Sequence, residues 1–395
     1  MRIALIADVF PPLRSSGAVQ LRDLSLEFVR QGHHVSVLIA TPGLQSGWSV
    51  EHWQGVEVVR LNAPKTKDVG YVRRTLGEFW MPFAMLSNLR KSPLAKRRWD
   101  GVVWYSPTIF LGPLANALKK GSDCKGYLIV RDIFPEWAVN MGLMGRGLPY
   151  RFFKVIENYQ YSVANVIGVQ TPGNAAYLDG WAKKPGHRVE VLQNWLAHAP
   201  DAGCTIKVAD TALAGRKIFV YAGNMGIAQG MDMLLNMAEQ LLAQRDIGFL
   251  LVGRGSDAQR LRSEAQARGL GNMVFFDEID PSEIPGLYAQ CHVGLVMLDP
   301  RHTTHNIPGK FLTYLQAGLP VLASINPGND LATLIESEKI GRSCTEAQTS
   351  GLCKLALDLV HEIDSDLQIG DRCKAVSDRL FSPIAAVKQI VEALR

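Results

Sequence analysis

The 395-residue chain contains no apolar run of the ~18–20 residues that crosses a bilayer. Its opening, MRIALIADVFPP, offers one Arg and a stretch too short for a signal-peptide core, so it reads as a first β-strand with no leader. Six cysteines stand at positions 124, 204, 291, 344, 353 and 373, with no C-x-x-C and no zinc spacing, which fits a reducing compartment and argues against a structural metal. His302 and His305 are spaced like a metal pair but lack an evident third ligand, and no metal is expected. The G-x-G-x-x-G turn of a dinucleotide-binding domain does not follow the first strand. Nor is there a zinc finger, an RNA-binding signature or a basic run interleaved with aromatics, so nucleic acid is not an expected partner.

What is present describes a folded protein of more than one domain. Hydrophobic residues make up 47% and charged residues 20%, and the length exceeds one ordinary core. Short β-branched runs alternate with helical periodicity. Strands are expected at 2–7, 34–39, 56–61, 101–105, 126–130, 166–170, 189–192, 218–221, 248–252, 273–276, 293–297, 320–323 and 341–344. Helices are expected at 18–30, 150–163, 231–244, 258–268 and 284–289. Such alternation builds parallel sheets covered by helices. The pattern lapses over 193–214 and restarts at Ile218, predicting two doubly wound α/β domains, 1–195 and 196–379, facing across a cleft. In open α/β sheets ligands bind beyond the carboxyl ends of the strands, so the loops after each strand carry the functional reading.

Those loops are rich in anion-binding devices. After the strand at 218–221 come Gly223, Asn224, Met225, Gly226 and Gln229, small or amide-bearing residues that permit close backbone approach. After 248–252 come Gly253 and Arg254, a guanidinium suited to phosphate. Pro308 and Gly309 lead into Lys310 at a helix start, where unpaired N–H groups and the helix dipole favour an anion. Gly17 closes the long loop after the first strand. In the first half, Arg131, Asp132 and Glu136 follow the strand 126–130, and Asn194 follows 189–192. Arg131, Asp132 and Glu136 are candidates for binding a second substrate or handling a proton, the alternative being a cap at Asp132 and an ion pair between Asp132 and Arg131; for Asn194 capping is an equal reading.

Net charge is +5, unevenly spread. Residues 65–98 hold nine Lys or Arg and only two acids, around the bulky segment LGEFWMPFAMLSNL (76–89). Two readings stand: a helix resting on an anionic membrane surface, or a core helix followed by a solvated basic loop.

The order and spacing of the opening strand with Gly17, GHHV (32–35), RDIFPE (131–136), TPG (171–173), QNW (193–195), YAGNMG (221–226), LLVGRG (250–255) and PGKFLTYLQAGLPV (308–321) resemble family 4 glycosyltransferases of the GT-B fold over essentially the whole chain. RDIFPE and GNMGIAQG resemble the branch acting in bacterial O-antigen and capsule synthesis, including N-acetyl-L-fucosamine transferases. The resemblance implies retaining transfer of a sugar, such as N-acetyl-L-fucosamine or a related amino sugar, from a UDP-sugar without a metal or other cofactor. The acceptor would be a polyprenyl-diphosphate-linked saccharide at the cytoplasmic face of the plasma membrane. Lys310 would contact the diphosphate, Gly17 would approach the same phosphates and the GNMG loop would lie beneath them. Arg254 would add charge, and Asp132 would orient the acceptor with Arg131, Glu136 and Asn194. The last helix, within 380–395, would return to pack on the first domain. Two departures from the family pattern stand out. Asn224 and Gln229 occupy places where many members carry Arg and Lys. His305 and Thr313 occupy those of a glutamate pair, leaving Thr313 as a hydroxyl partner for the donor ribose. A nucleotide-sugar epimerase and a non-catalytic nucleotide-sugar-binding subunit are the rival readings.

Overall fold

A computed structural model describes every residue except 14, 201, 227, 228, 299–304, 306 and 347. The chain divides into unit 1, Met1–Leu196 with Ser382–Arg395, and unit 2, Ala197–Phe381.

Unit 1 is built on eight strands: β1 (Arg2–Ala7), β2 (His34–Thr41), β3 (Trp48–Trp53), β4 (Val56–Asn62), β5 (Gly101–Ser106), β6 (Lys125–Val130), β7 (Val166–Val169) and β8 (Arg188–Val191). Their order is β3-β4-β2-β1-β5-β6-β7-β8, parallel except for the β3–β4 hairpin. Ile3–Ala7 and Val102–Val103 are fully buried because helices cover both faces, as a parallel sheet requires. Connections leave β1 in one direction and β5 in the other, so the switch point of this sheet lies between those two strands.

The hairpin strand β3 is absent from the sequence expectation. Its residues are only partly buried, which removes the hydrophobic signal. The usable signal is the turn: Gln54 and Gly55 both adopt positive φ, 49° and 83°, the combination that a two-residue hairpin needs.

Unit 2 has six strands, β9 (Lys217–Ala222), β10 (Ile247–Val252), β11 (Met273–Phe276), β12 (Val293–Met297), β13 (Val321–Ser324) and β14 (Gly341–Cys344). They are parallel in the order β11-β10-β9-β12-β13-β14. Here the switch point falls between β9 and β12.

The final helix, Pro383–Leu394, belongs to unit 1. Ser382 caps it by accepting from the Ile384 N–H at 3.2 Å. Val387, Ile390, Val391 and Leu394 are buried in one cluster with Ile3, Leu24 and Phe28. Gln389 donates from Nε2 to the Val191 carbonyl at 2.9 Å, tying the helix to the end of β8. Gly101 makes room for it, since a Cβ there would lie 2.7 Å from Leu394 Cδ1. Leu394→Ala is therefore expected to cost unit 1 about 2–5 kcal/mol. Urea denaturation followed by tryptophan fluorescence should show the unit 1 transition moving to lower denaturant. An unchanged midpoint would mean that the last helix contributes little.

Candidate active site

In unit 2 the strands β9 and β12 pair only at their beginnings, Val293 with Phe219 and Gly294 with Val220, and then part. The helix Gly309–Gln316 fills the gap. Its Tyr314 is fully buried and its hydroxyl donates toward the carbonyls of Val220 (3.1 Å) and Leu295 (3.3 Å), one on each diverging strand. It also accepts from the Ala222 N–H at 3.4 Å. A single phenol thus serves backbone groups that the sheet leaves unpaired. Gly294 is required by this wedge, because a Cβ would stand 2.3 Å from Tyr314 Cγ.

Lys310 is one helical turn before Tyr314, on the same face. Its ammonium donates to the Tyr221 hydroxyl at 3.1 Å and lies 4.5 Å from the centre of that ring. The residue is half-buried, but the ammonium itself is enclosed, and desolvation lowers its pKa from 10.5 to about 8. Tyr221 in turn donates to the Asn224 carbonyl at 2.7 Å. Pro308 occupies the cap position without a side-chain bond, so the N–H groups of the first helical turn, at Gly309 and Lys310, point away from any intrahelical acceptor.

The glycine loops after β9 and β10 lie backbone against backbone. Gly223 N–H donates to the Val252 carbonyl at 2.9 Å, and Met225 N–H to the Arg254 carbonyl at 2.7 Å. A Cβ on Gly253 would be 2.0 Å from the Gly223 oxygen, and one on Gly255 2.1 Å from the Met225 oxygen. Gly223, at φ +142°, holds a backbone conformation that other residues rarely adopt, and a Cβ there would come into ordinary contact, 3.6 Å, with Lys310 Cε. Gly226 and Gln229 fold together, the Gln229 side chain accepting from the Gly226 N–H at 3.0 Å. Ile227 and Ala228 of this loop, and His302 of the His302/His305 pair, lie outside the described residues. His305 Nδ1 lies 3.1 Å from the Asp330 backbone nitrogen.

The other expected residues are placed differently. Arg254 is exposed and pairs with Glu278 at 2.6 Å. Thr313 spends its hydroxyl inside its own helix, on the Lys310 carbonyl at 2.9 Å. In unit 1 Gly17 sits behind the cap formed by Ser15, whose side chain accepts from the Ala18 N–H at 3.3 Å. Arg131 is buried; it donates to the carbonyls of Leu192 (2.7 Å) and Gln193 (3.4 Å) and stacks 4.6 Å from the Trp195 ring. Trp195 donates to the Gln20 carbonyl at 2.6 Å, and Tyr105 to the Gln20 side chain at 2.7 Å. Arg131 therefore braces the end of β8. Asp132 is exposed beside it. Glu136 accepts from Tyr150 (3.0 Å) and Lys154 (2.9 Å), and Asn194 is buried. Tyr221, Tyr314 and Asp8 are the residues that sequence reasoning passed over. Tyr314 was detectable as an i+4 partner of Lys310.

Comparison with known proteins identifies the chemistry. Residues 216–362 match the family model described as glycosyl transferases group 1. A protein of Escherichia coli K12 named as a colanic acid biosynthesis glycosyl transferase, WcaI, is 27% identical over 348 residues, 82% of this chain and 81% of its own. The chain is a glycosyltransferase. Among solved structures, Anabaena HepE in complex with UDP and glucose superposes with a TM-score of 0.67 at 15% identity over 99% of both chains. WaaG, a glycosyltransferase involved in lipopolysaccharide biosynthesis, gives 0.65 at 14% over 99% of both. The two Rossmann-like units are those of the GT-B fold.

The buried ammonium has a consequence for stability. Between pH 8 and about 10.5 the unfolded chain holds a proton on Lys310 that the folded chain has lost, so folding stability should rise with pH across that window. Lys310→Met removes the desolvated charge. The variant is expected to melt above the wild type at pH 7, the gap narrowing as pH passes 8 upward. A melting temperature equal to the wild type's throughout would show that the ammonium is well solvated.

Proposed function

We propose that this glycosyltransferase catalyses retaining transfer from a UDP-sugar, N-acetyl-L-fucosamine or a related amino sugar, to a polyprenyl-diphosphate-linked saccharide in bacterial surface polysaccharide assembly, within the family 4 branch that its motifs resemble. The observation that carries the reading is Lys310: a desolvated ammonium held over Tyr221 at the switch point of unit 2, beside helix-start N–H groups that have no intrahelical acceptor. An anion bound there restores the favourable charge that burial has cost the lysine. The UDP held by HepE and the lipopolysaccharide and colanic acid roles in the names of WaaG and WcaI support this choice of donor and pathway.

In this reading the bond from the anomeric carbon to the diphosphate oxygen breaks, and negative charge collects on the leaving group. Lys310 and the N–H groups of Gly309 and Lys310 stabilise that charge without a metal. The acceptor hydroxyl forms its bond on the same face of the sugar, and its proton passes to the departing phosphate. Arg254 reaches the phosphates by leaving Glu278; the pair is solvent-exposed, so the exchange costs little. Gly223 and Gly253 keep the floor of the site free of side chains.

The charged segment 65–98 combines features of both readings given above. The helix Tyr71–Leu89 buries Met81, Met85 and Leu89 in the core, while Val72, Leu76, Trp80 and Phe83 form an exposed apolar stripe. Leu148, Phe152, Val155 and Tyr159 make a second exposed stripe on the helix Leu148–Val163, which covers the same face of the unit 1 sheet. Lys65, Lys67, Arg73, Arg90 and Lys91 are exposed around the first stripe. Apolar stripes with a basic margin suit the anionic inner face of the plasma membrane, where a lipid-linked acceptor resides.

Two experiments test the reading. A panel of nucleotide sugars should contain one that raises the melting temperature selectively and supports transfer to a lipid-linked acceptor. Lys310→Ala should abolish that rise and lower turnover by about 10²–10³-fold. Near-normal transfer by the variant would remove Lys310 from the mechanism, and a rearranged sugar nucleotide released without acceptor would point to an epimerase. The protein should also pellet with anionic vesicles at low salt, and Trp80→Glu combined with Val155→Glu should weaken pelleting. Recovery of the wild type in the supernatant would end the membrane proposal.

A further inference from the structure

Asp8 follows β1 directly, at the switch point of the unit 1 sheet. Its Oδ1 has essentially no exposed surface and no hydrogen-bond partner among the described residues. The charged groups around it come from three elements. Lys67 lies in the loop after β4, Arg74 and Glu78 are on the helix Tyr71–Leu89, and Tyr105 is at the end of β5. Burial outweighs Lys67, a hydrogen bond from the Asp8 backbone to its own carboxyl and Arg74, so the carboxyl is held above its ordinary pKa.

Several of the neighbouring polar groups are engaged elsewhere. Glu78 accepts from Arg74 at 2.8 Å, and Tyr105 donates to Gln20. Two of the Arg131 donors go to the carbonyls after β8, while its Nε is a second buried atom with no partner among the described residues. Gly17 lies against the same place, where a Cβ would be 3.2 Å from Val9 Cγ2 and 3.4 Å from Tyr105 Cε1. A buried carboxylate oxygen with no partner among the described residues costs folding free energy, and a ligand that donates to it would offset that cost. Its complement is a donor with no charge of its own to strip of water, and a sugar hydroxyl is such a donor.

We propose that Asp8 Oδ1 accepts a hydrogen bond from a hydroxyl of the saccharide acceptor and so orients the acceptor on unit 1. The inference rests on the glycosyl-transfer reading above and concerns unit 1 alone. Asp8 forms no covalent bond and retains no proton at the end of the step.

The test uses the full chain, with Asp8→Asn as the near-isosteric variant and Asp8→Ala as the truncation. Both should keep or raise the melting temperature, since each removes an unpaired buried carboxylate, and both should keep the melting-temperature rise given by UDP alone. For Asp8→Asn, kcat/KM for the acceptor should fall about 100-fold while KM for the donor is unchanged. In the wild type, kcat/KM for the acceptor should decline as pH falls through a value above ~3.9, the ordinary aspartate pKa. That acidic limb should vanish in Asp8→Asn, with Lys67, Arg74, Glu78 and Tyr105 all still in place. Unchanged acceptor kinetics would overturn the proposal. So would a melting temperature lowered in both variants, which would make the carboxylate a structural support. If the wild type binds UDP but transfers to no hydroxyl, the glycosyl-transfer reading fails and takes this proposal with it; failure of Asp8→Asn beside an active wild type overturns this proposal alone.

Discussion

The parting of β9 from β12 is the constraint on which the donor unit depends. A parallel sheet that separates exposes backbone groups in its own interior, and burying them unpaired is expensive. Tyr314 resolves this with one hydroxyl that reaches both strands. The solution fixes more than the sheet. It sets the rotation of the helix Gly309–Gln316, hence the direction of Lys310 one turn earlier, and it demands glycine at 294. The binding group is therefore aimed by a packing requirement of the core, which is how a long, flexible lysine comes to occupy one place.

Unit 1 handles its own switch point by different means. There the polar groups at the strand ends are joined to one another: Tyr105 to Gln20, Gln20 to Trp195, Trp195 beneath Arg131, and Arg131 to the carbonyls after β8. This network makes a rigid frame out of residues that resemble a catalytic set when read in order along the chain. Arg131 is the instructive case. A guanidinium beside a carboxylate at a strand end suggests ligand chemistry, yet its two terminal nitrogens donate to the backbone that follows the next strand but one.

Most of the fold was legible because parallel strands buried on both faces leave continuous apolar runs, as in Ile3–Ala7 and Phe249–Val252. The hairpin strand β3 was not, because an edge strand with one solvent face carries a weak pattern. In the site, Lys310 and the glycines announced themselves through turn and helix-start chemistry. The occupation of Arg254 by Glu278 did not, since that pair joins the ends of two different strands. Asp8 escaped notice because a single carboxylate after a strand carries no motif; its burial and its unpartnered oxygen emerge only from the packing around it.

The shielding of the Lys310 amine reaches beyond stability. A lysine with a pKa of about 8 is uncharged in roughly half of the molecules at that pH, whereas a solvated lysine near 10.4 is almost wholly protonated. Lys310 is therefore divided between a free base and an ammonium near that pH, and an anion settling against it draws the proton back, so that binding of the anion and uptake of a proton are coupled.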